Sequence, residues 1–141
     1  MNVLLAIDEP TASCPAVDYV MYHPWPEKTM FRVLSAPGRI PAVLDGTGKT
    51  GVEEAFQVTR QVVESLSSNG LPCDQMVRTG DPVEAIVDEA KIWPADLIIL
   101  GSDAIRRWLP RAVSRSVSRL APCEVKVILP RSKRCVRFRY R

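Results

Sequence analysis

The chain has 141 residues, of which 46% are hydrophobic and 25% are charged. These values are typical of one globular domain with a buried core, and they exclude two full domains or a disordered composition. No apolar run approaches the roughly 20 residues that a membrane-spanning helix needs. The formal net charge is +3, but residues 131–141 contain six basic residues and no acidic one, so residues 1–130 are net acidic.

The cysteines and the single histidine, His23, argue against metal and nucleophile chemistry. No two cysteines form a C-x-x-C pair, so we expect reduced thiols, no metal site and no Cys/His catalytic pair. No catalytic residue is identified, and the chain is not predicted to be an enzyme. Residues 1–10 predict a first strand rather than a targeting leader, which makes the cytoplasm the expected location. The cysteines are Cys14, Cys73, Cys123 and Cys135.

Five apolar segments predict β-strands. The first and the fourth, "NVLLAI" and "ADLIILG", are almost wholly apolar, which is typical of strands covered on both faces. The third and the fifth alternate between apolar and polar residues, and we place the third nearer an edge. The predicted strands span residues 2–7, 30–36, 73–80, 95–101 and 123–129.

Between these strands, apolar residues recur at helical spacing. The clearest start is at residues 81–84, where Asp81 is a ready N-cap, Pro82 suits the first helical position and Glu84 follows three residues after the cap. The predicted helices span residues 12–23, 51–68, 82–92 and 110–121. Strict alternation of strand and helix predicts a doubly wound parallel sheet with helices on both faces, joined by right-handed crossovers.

A doubly wound sheet places ligands at the carboxyl ends of its strands, where the strand order reverses. The candidates here are Asp8, after the first strand, and the loop that begins at Gly101, after the fourth. The long connection 37–51 includes "GTGKTG", which is similar to the end of a Walker A motif. That motif needs a glycine where this chain has Val43, and it needs a strand leading directly into it. We therefore predict a flexible loop there and no P-loop.

Four phrases in order, "VLLAID", "GDPVEAIVDEA", "ADLIILGS" and "SVSRLAPCEVKVI", resemble the universal stress protein family. The resemblance covers residues 2–129, and we divide the chain into a universal stress protein-like domain, 1–130, and a basic tail, 131–141. It implies a Rossmann-like five-stranded sheet with strand order 3-2-1-4-5 and a regulatory or binding role in the stress response. It also implies a homodimer that pairs through the fifth strand, which would be exposed at the edge. The strand residues that suit this pairing are Val125, Val127 and Leu129.

ATP-binding members of this family resemble G-x-x-G, nine residues, then G-S or G-T. In this chain Gly101 matches the first glycine, but Ala104 and Arg115 stand at the other two glycine positions, and the spacing is one residue longer. Glycines there let backbone amides approach phosphates. The resemblance therefore predicts weak or no ATP binding and no required cofactor. The alternative left open is a chain that still binds ATP or AMP, with slow or no hydrolysis.

The resemblance also assigns positions to the candidate site. Asp8 matches the acidic residue that would meet the adenosine part, and Ala36 falls near the position that lines the adenine pocket. Ser116 to Ser118 match the residues after the last family glycine. The candidate cofactor-binding residues are Asp8, Ala36, Gly101, Ser102, Arg115, Ser116, Val117 and Ser118.

Two basic features lie outside these motifs. The first is a set of arginines at four-residue spacing, which forms one stripe on a helix: Arg107, Arg111, Arg115 and Arg119. It is consistent with a solvated face, with a surface for an anionic partner or with a direct phosphate ligand. The second is the tail sequence "RCVRFRYR", which alternates arginines with apolar and aromatic residues. That pattern fits a disordered end, an added strand, or weak contact with nucleic acid or an anionic membrane surface.

Overall fold

The computed structural model describes residues 1–7, 15–38, 51–101, 110–128 and 135–138. The predicted order of strands and helices is confirmed, and one further strand follows. The elements are β1 (Asn2–Ile7), α1 (Pro15–Tyr22), β2 (Met30–Gly38), α2 (Gly51–Ser68), β3 (Cys73–Thr79), α3 (Pro82–Ile92), β4 (Leu97–Gly101), α4 (Pro110–Leu120), β5 (Glu124–Ile128) and β6 (Cys135–Phe138).

The strands form one sheet with the order β3-β2-β1-β4-β5-β6. The first five are parallel, which confirms the order 3-2-1-4-5, and β6 is antiparallel to β5. From β1 the chain adds β2 and β3 towards one edge of the sheet, and from β4 it adds β5 towards the opposite edge. The order of the strands therefore reverses between β1 and β4, where Ala6 pairs with Leu100.

The central strands are apolar because both of their faces are covered. In β1, Val3, Leu5 and Ile7 pack with residues of α1 and α2. Leu4 and Ala6 point the other way and pack with residues of α3 and α4. Full burial of a Leu or Val side chain contributes about 1.5–3 kcal/mol, so these two apolar layers account for much of the driving force that closes the helices onto the sheet.

Local sequence signals set several element boundaries. The Asp81 carboxylate accepts a hydrogen bond from the Glu84 N–H at 3.3 Å, which confirms the predicted N-cap of α3. Helix α2 is followed by Gly70 in a left-handed conformation with φ of 81°, which glycine adopts without steric cost. In β2 the register with β3 shifts between Ser35 and Gly38. Pro37 lies between them and has no N–H to donate to the ladder.

The basic tail contributes β6, and this corrects the position expected for β5. We predicted that β5 would be exposed at the edge, but within the described residues β6 pairs with it and takes the edge. Val125 pairs with Phe138 and Val127 with Val136, and both β5 valines are buried. Of the three tail alternatives, residues 135–138 adopt the added strand. Leu129 lies outside the described residues.

Within the described parts of the chain, no helix is both long enough and apolar enough to cross a bilayer.

Candidate nucleotide site and its surroundings

The carboxyl ends of β1 and β4 form the centre of the predicted site. Because Ala6 pairs with Leu100, the chain leaves these two strands at neighbouring points, Ile7 and Gly101. Adjacent strands lie about 4.8 Å apart, so the loops that follow start side by side. Asp8, Ser102 and the segment containing Ala104 and Arg107 fall outside the described residues, as do residues 39–50 of the "GTGKTG" loop.

Ala36 lies at the same edge of the sheet. Its neighbour Ser35 pairs with Ile7, so Ala36 is one position beyond the last residue of β1. It is buried and belongs to the apolar cluster that also includes Ala6, Leu100 and residues of α3. The structure thus brings Ala36 to the carboxyl edge on the face that α3 and α4 cover.

The four candidate residues 115–118 lie inside helix α4, which already begins at Pro110. Only the first N–H groups of a helix lack partners within it, so the amides of 115–118 bond to the preceding turn. Val117 is fully buried, and the Ser118 hydroxyl donates to the Ser114 carbonyl at 2.7 Å. Ser116 is half-buried, whereas Arg115 is exposed. No backbone donor in this stretch is left for a phosphate.

The free backbone amides of α4 lie in its first turn. The sequence analysis expected the phosphate contacts further along the chain, at residues 115–118. Pro110 has no N–H, so the unpartnered amides of this turn belong to residues 111 and 112. They follow the loop after β4, at the positive end of the helix dipole, which favours anions. In the sequence, Pro110 indicated where this helix begins, since proline is frequent at the first position of a helix.

A second feature at the carboxyl edge is a depression of about 400 Å³ where β3 meets α3. Its walls include the carboxylates of Asp81, Glu84 and Asp88 and one guanidinium, that of Arg78. Arg78 Nε is already paired with the Glu89 carboxylate at 3.1 Å. The excess of negative charge therefore disfavours phosphate in this depression.

Beneath α3, a network of ion pairs around the buried Glu89 joins the helix to β2 and β3. Arg32 binds both Asp74 oxygens, at 2.8 and 2.9 Å, and reaches Glu89 Oε1 at 2.8 Å. Its guanidinium also lies 4.7 Å from the centre of the Trp93 ring. The hydrogen bond to Asp74 is the main cause that raises the pKa of Arg32 above its ordinary value. Sequence analysis missed this network, because its members are far apart in the chain and carry no local pattern.

The described thiols are not poised for reaction. Burial is the main cause that raises the pKa of Cys73 to about 12 and that of Cys123 to about 11. Both cysteines are free and half-buried. At neutral pH they are protonated, and the thiol is a poor nucleophile compared with the thiolate. The described residues also contain no group of three or more His, Cys, Asp or Glu arranged to hold a metal ion.

Comparison of the amino-acid sequence with known proteins identifies the family of this chain. Residues 1–128 match the Universal stress protein family. The chain therefore belongs to the universal stress protein family. A curated universal stress protein of Synechocystis is 34% identical over 53 residues, which cover 38% of this chain and 34% of that protein. The match thus spans about a third of the relative's length.

Solved structures with the same fold are distant in sequence. A universal stress protein family protein of Arabidopsis thaliana, solved with AMP bound, superposes with a TM-score of 0.68 at 19% identity, over 92% of this chain and 91% of that one. A universal stress protein in complex with cAMP gives 0.63 at 17% identity, over 91% and 96%. The UspA protein of Lactobacillus plantarum gives 0.67 at 22% identity, over 90% and 96%. These similarities establish the shared fold.

Proposed function

We propose that this chain is a regulatory or binding module of the cytoplasmic stress response that binds ATP weakly or not at all and has no catalytic role. The observation that carries the proposal is that α4 begins at Pro110 and runs through residues 115–118. The residues that the family resemblance assigns to phosphate binding, 115–118, then lie in the second and third turns of a helix. Their amides are used within the helix, and a phosphate has no access to them.

The residue at the last family glycine position favours helix. A glycine in a helix interior is about 1 kcal/mol less favourable than alanine, and arginine is close to alanine. Arg115 therefore favours a continuous helix where a glycine would favour an open turn. The Ser118 hydroxyl, another expected ligand, is turned back to the Ser114 carbonyl. Both changes support a weakened nucleotide loop.

The alternative is a chain that still binds AMP or ATP, and two observations favour it. The solved relatives with AMP and with cAMP share this fold. The carboxyl ends of β1 and β4 meet, and the free amides of residues 111 and 112 lie at the start of the next helix. On this alternative, the phosphates contact those first-turn amides and the Gly101 loop rather than residues 115–118.

Calorimetric titration of the nucleotide-free protein separates the two proposals. We expect no heat of binding with AMP or Mg-ATP up to about 1 mM, and no thermal stabilisation by either nucleotide. A dissociation constant below about 100 μM, which corresponds to roughly −5.5 kcal/mol, would reject the weakened site and support the alternative.

A pair of variants tests the role given to Arg115. The double variant Ala104→Gly/Arg115→Gly restores both family glycines and should gain measurable AMP binding. The matched control, Ala104→Gly/Arg119→Gly, also introduces a glycine in place of an arginine of α4, but at a position that is not a family glycine. Equal behaviour of the two variants would contradict a specific role for position 115.

We also propose that homodimerisation through β5, which the family resemblance implies, requires β6 to leave. Val125 and Val127 are buried, and the outer edge of β5 pairs with β6 of the same chain. A second copy needs those same backbone groups. Sedimentation of the whole chain and of a chain ending at residue 130 tests this proposal. We expect a monomer in the first case and a dimer in the second, and a dimer of equal strength in both would contradict it.

A further inference from the structure

The outer edge of β3 is open within the part of the chain that the structure describes. β3 stands at the end of the sheet, and its described neighbour is β2. The Phe31 N–H donates to the Pro72 carbonyl at 2.9 Å, which fixes the backbone groups that face β2. Because these groups alternate along a strand, those of Cys73, Gln75 and Val77 point away from β2. They are available to a further strand.

Partly exposed apolar residues border this edge. Met76 and Val77 are only half-buried, and Met76 packs on the α3 side of the sheet. On the other side, the Gln75 amide donates to the Phe56 carbonyl at 3.3 Å, which places the start of α2 beside the edge. Phe56 is 52% exposed and Val52, one turn earlier, is 39% exposed. A strand added at this edge would shield apolar surface from water, which favours association.

Two opposite charges lie on β3 at equal distances from Met76. Asp74 is two residues before it and Arg78 is two residues after it. Asp74 is bound by Arg32, yet its side chain is 57% exposed. Arg78 contacts Glu89 through Nε, and its side chain is 31% exposed. A carboxylate has about four acceptor sites and a guanidinium has five donors, so each group has capacity for a further partner.

We propose that the outer edge of β3 binds a second copy of this chain, as an antiparallel strand pair with Met76 opposite Met76 of the copy. In this register Asp74 lies opposite Arg78 of the copy, and two-fold symmetry produces the same contact twice. Gln75 and Val77 form the hydrogen-bonded pairs, because their backbone groups face outwards. A shift of two residues in either direction places neither charge opposite its complement. The charges therefore select one register.

The same features favour a second copy over an unrelated strand. The edge requires a partner with an acidic and a basic residue four positions apart, in the reverse order along the edge, and β3 itself meets this requirement. A strand without that spacing leaves Asp74 or Arg78 opposite an apolar or like-charged side chain. Natural edges are often protected by proline or lysine, and β3 contains neither. The inference does not depend on nucleotide binding, and it uses the opposite edge of the sheet from β5 and β6.

The proposed contact is small, so the association should be weak. A single strand pair with a few apolar neighbours lies at the lower end of interface sizes. We expect a dissociation constant of about 100 μM, so that the whole chain is mainly a monomer at about 5 μM and mainly a dimer at about 1 mM. Sedimentation equilibrium over this range measures the association. At the lower concentration this edge does not interfere with the test of pairing through β5.

A proline at the edge separates pairing from folding. Val77→Pro removes an N–H that points away from β2, so the ladder between β2 and β3 is retained while the new strand pair loses a hydrogen bond. We expect the dissociation constant to rise by about tenfold or more. The matched control, Val77→Thr, keeps both the N–H and the β-branched shape, and it should associate like the parent. Circular dichroism and thermal melting verify that both variants are folded.

A cysteine cross-link tests the register. Met76 opposite its own copy is a non-hydrogen-bonded antiparallel pair, whose Cα atoms lie about 4.5 Å apart, within reach of a disulfide. Met76→Cys should therefore form a linked dimer with oxidised glutathione as the oxidant, and peptide mass spectrometry should locate the bond at position 76. The control is Val77→Cys, because the two copies of residue 77 lie diagonally, about 8 Å apart, too far for a disulfide.

Four outcomes would overturn the proposal. The first is a monomer throughout the concentration range, and the second is equal association of Val77→Pro and Val77→Thr. The third is cross-linking of Met76→Cys that is no faster than that of Val77→Cys. The fourth is loss of the association when residues 131–141 are deleted, which would assign the contact to the edge that carries β6.

Discussion

Helices α3 and α4 lie side by side on one face of the sheet, yet they differ in where their charged side chains lie. One carries a buried, paired carboxylate, and the other carries exposed arginines. In α3 the buried Glu89 forms ion pairs with two arginines, Arg32 of β2 and Arg78 of β3. In α4 every charged residue is an arginine, and the two whose side chains are described are exposed. The charge of Glu89 is neutralised inside the fold, while the charges of Arg115 and Arg119 are left at the surface.

The difference follows from which side of each helix carries the charge. Glu89 is on the inner side of α3 and is only 2% exposed, so a partner is required to offset the loss of hydration. Arg115 and Arg119 are on the outer side of α4, where water solvates them and no partner is needed. A charge of the first kind determines stability, and a charge of the second kind is available for an external ligand.

The largest effect that this comparison predicts comes from Glu89→Ala. The substitution leaves Arg78 without its carboxylate and deprives Arg32 of one of its two. Removal of one member of a buried ion pair typically costs about 3–5 kcal/mol. We expect a loss of this size in the free energy of unfolding, measured by urea denaturation.

An exposed pair provides the control for Glu89. Glu64 lies 3.3 Å from Arg60 on the surface of α2, with both side chains mostly exposed. Glu64→Ala should cost less than about 0.5 kcal/mol, because solvent screens such pairs. If Glu89→Ala costs as little as Glu64→Ala, the network beneath α3 is not what secures the helix.

The second prediction extends the comparison to the thiols at the two sides of the sheet. Cys73 begins β3 and Cys123 precedes β5, and burial raises the pKa of Cys73 to about 12 and that of Cys123 to about 11. At pH 8 the thiolate fraction of Cys123 is then the larger of the two. Peptide-level mass spectrometry after brief iodoacetamide treatment should show Cys123 modified faster than Cys73.

Linkage gives the sign of the associated pH dependence. Both thiols ionise later in the folded chain than in the unfolded one, so their contribution to stability is complete below about pH 9 and is lost as pH rises through 11 and 12. In urea the two cysteines should react at equal rates. A persistent difference in urea would mean that the local sequence, not burial, sets the rates.

The fold was predicted well from the sequence, because local residue patterns and the rules of sheet topology determine most of its elements and their order. The apolar runs of β1 and β4, the cap at Asp81 and the alternation of strand and helix each have a direct physical cause in neighbouring residues. The edge of the sheet next to β5 was predicted less well. Whether residues 135–138 pair with β5 depends on a contact between distant segments, and three tail conformations fitted the same alternation of arginines and apolar residues.

The topology explains where the described candidate residues lie, but the local details of α4 did not follow from the sequence. Both strand ends and Ala36 meet at the carboxyl edge, as the topology requires. The start of α4 was visible in Pro110, yet its consequence for residues 115–118 became clear only when the buried Val117 and the Ser118 hydrogen bond were located. The Arg32–Asp74–Glu89 network had no sequence signal, since its members are separated by 42 and 57 positions.

The smallest predicted effect has the opposite sign to the first. Arg115→Glu places a carboxylate four residues from both Arg111 and Arg119 on α4, and favourable pairs at this spacing contribute about 0.2–0.5 kcal/mol each. We therefore expect this variant to be more stable than the parent by roughly 0.5 kcal/mol in urea denaturation, and Arg115→Gln to gain about half as much. A loss above about 1 kcal/mol would show that Arg115 has a structural partner.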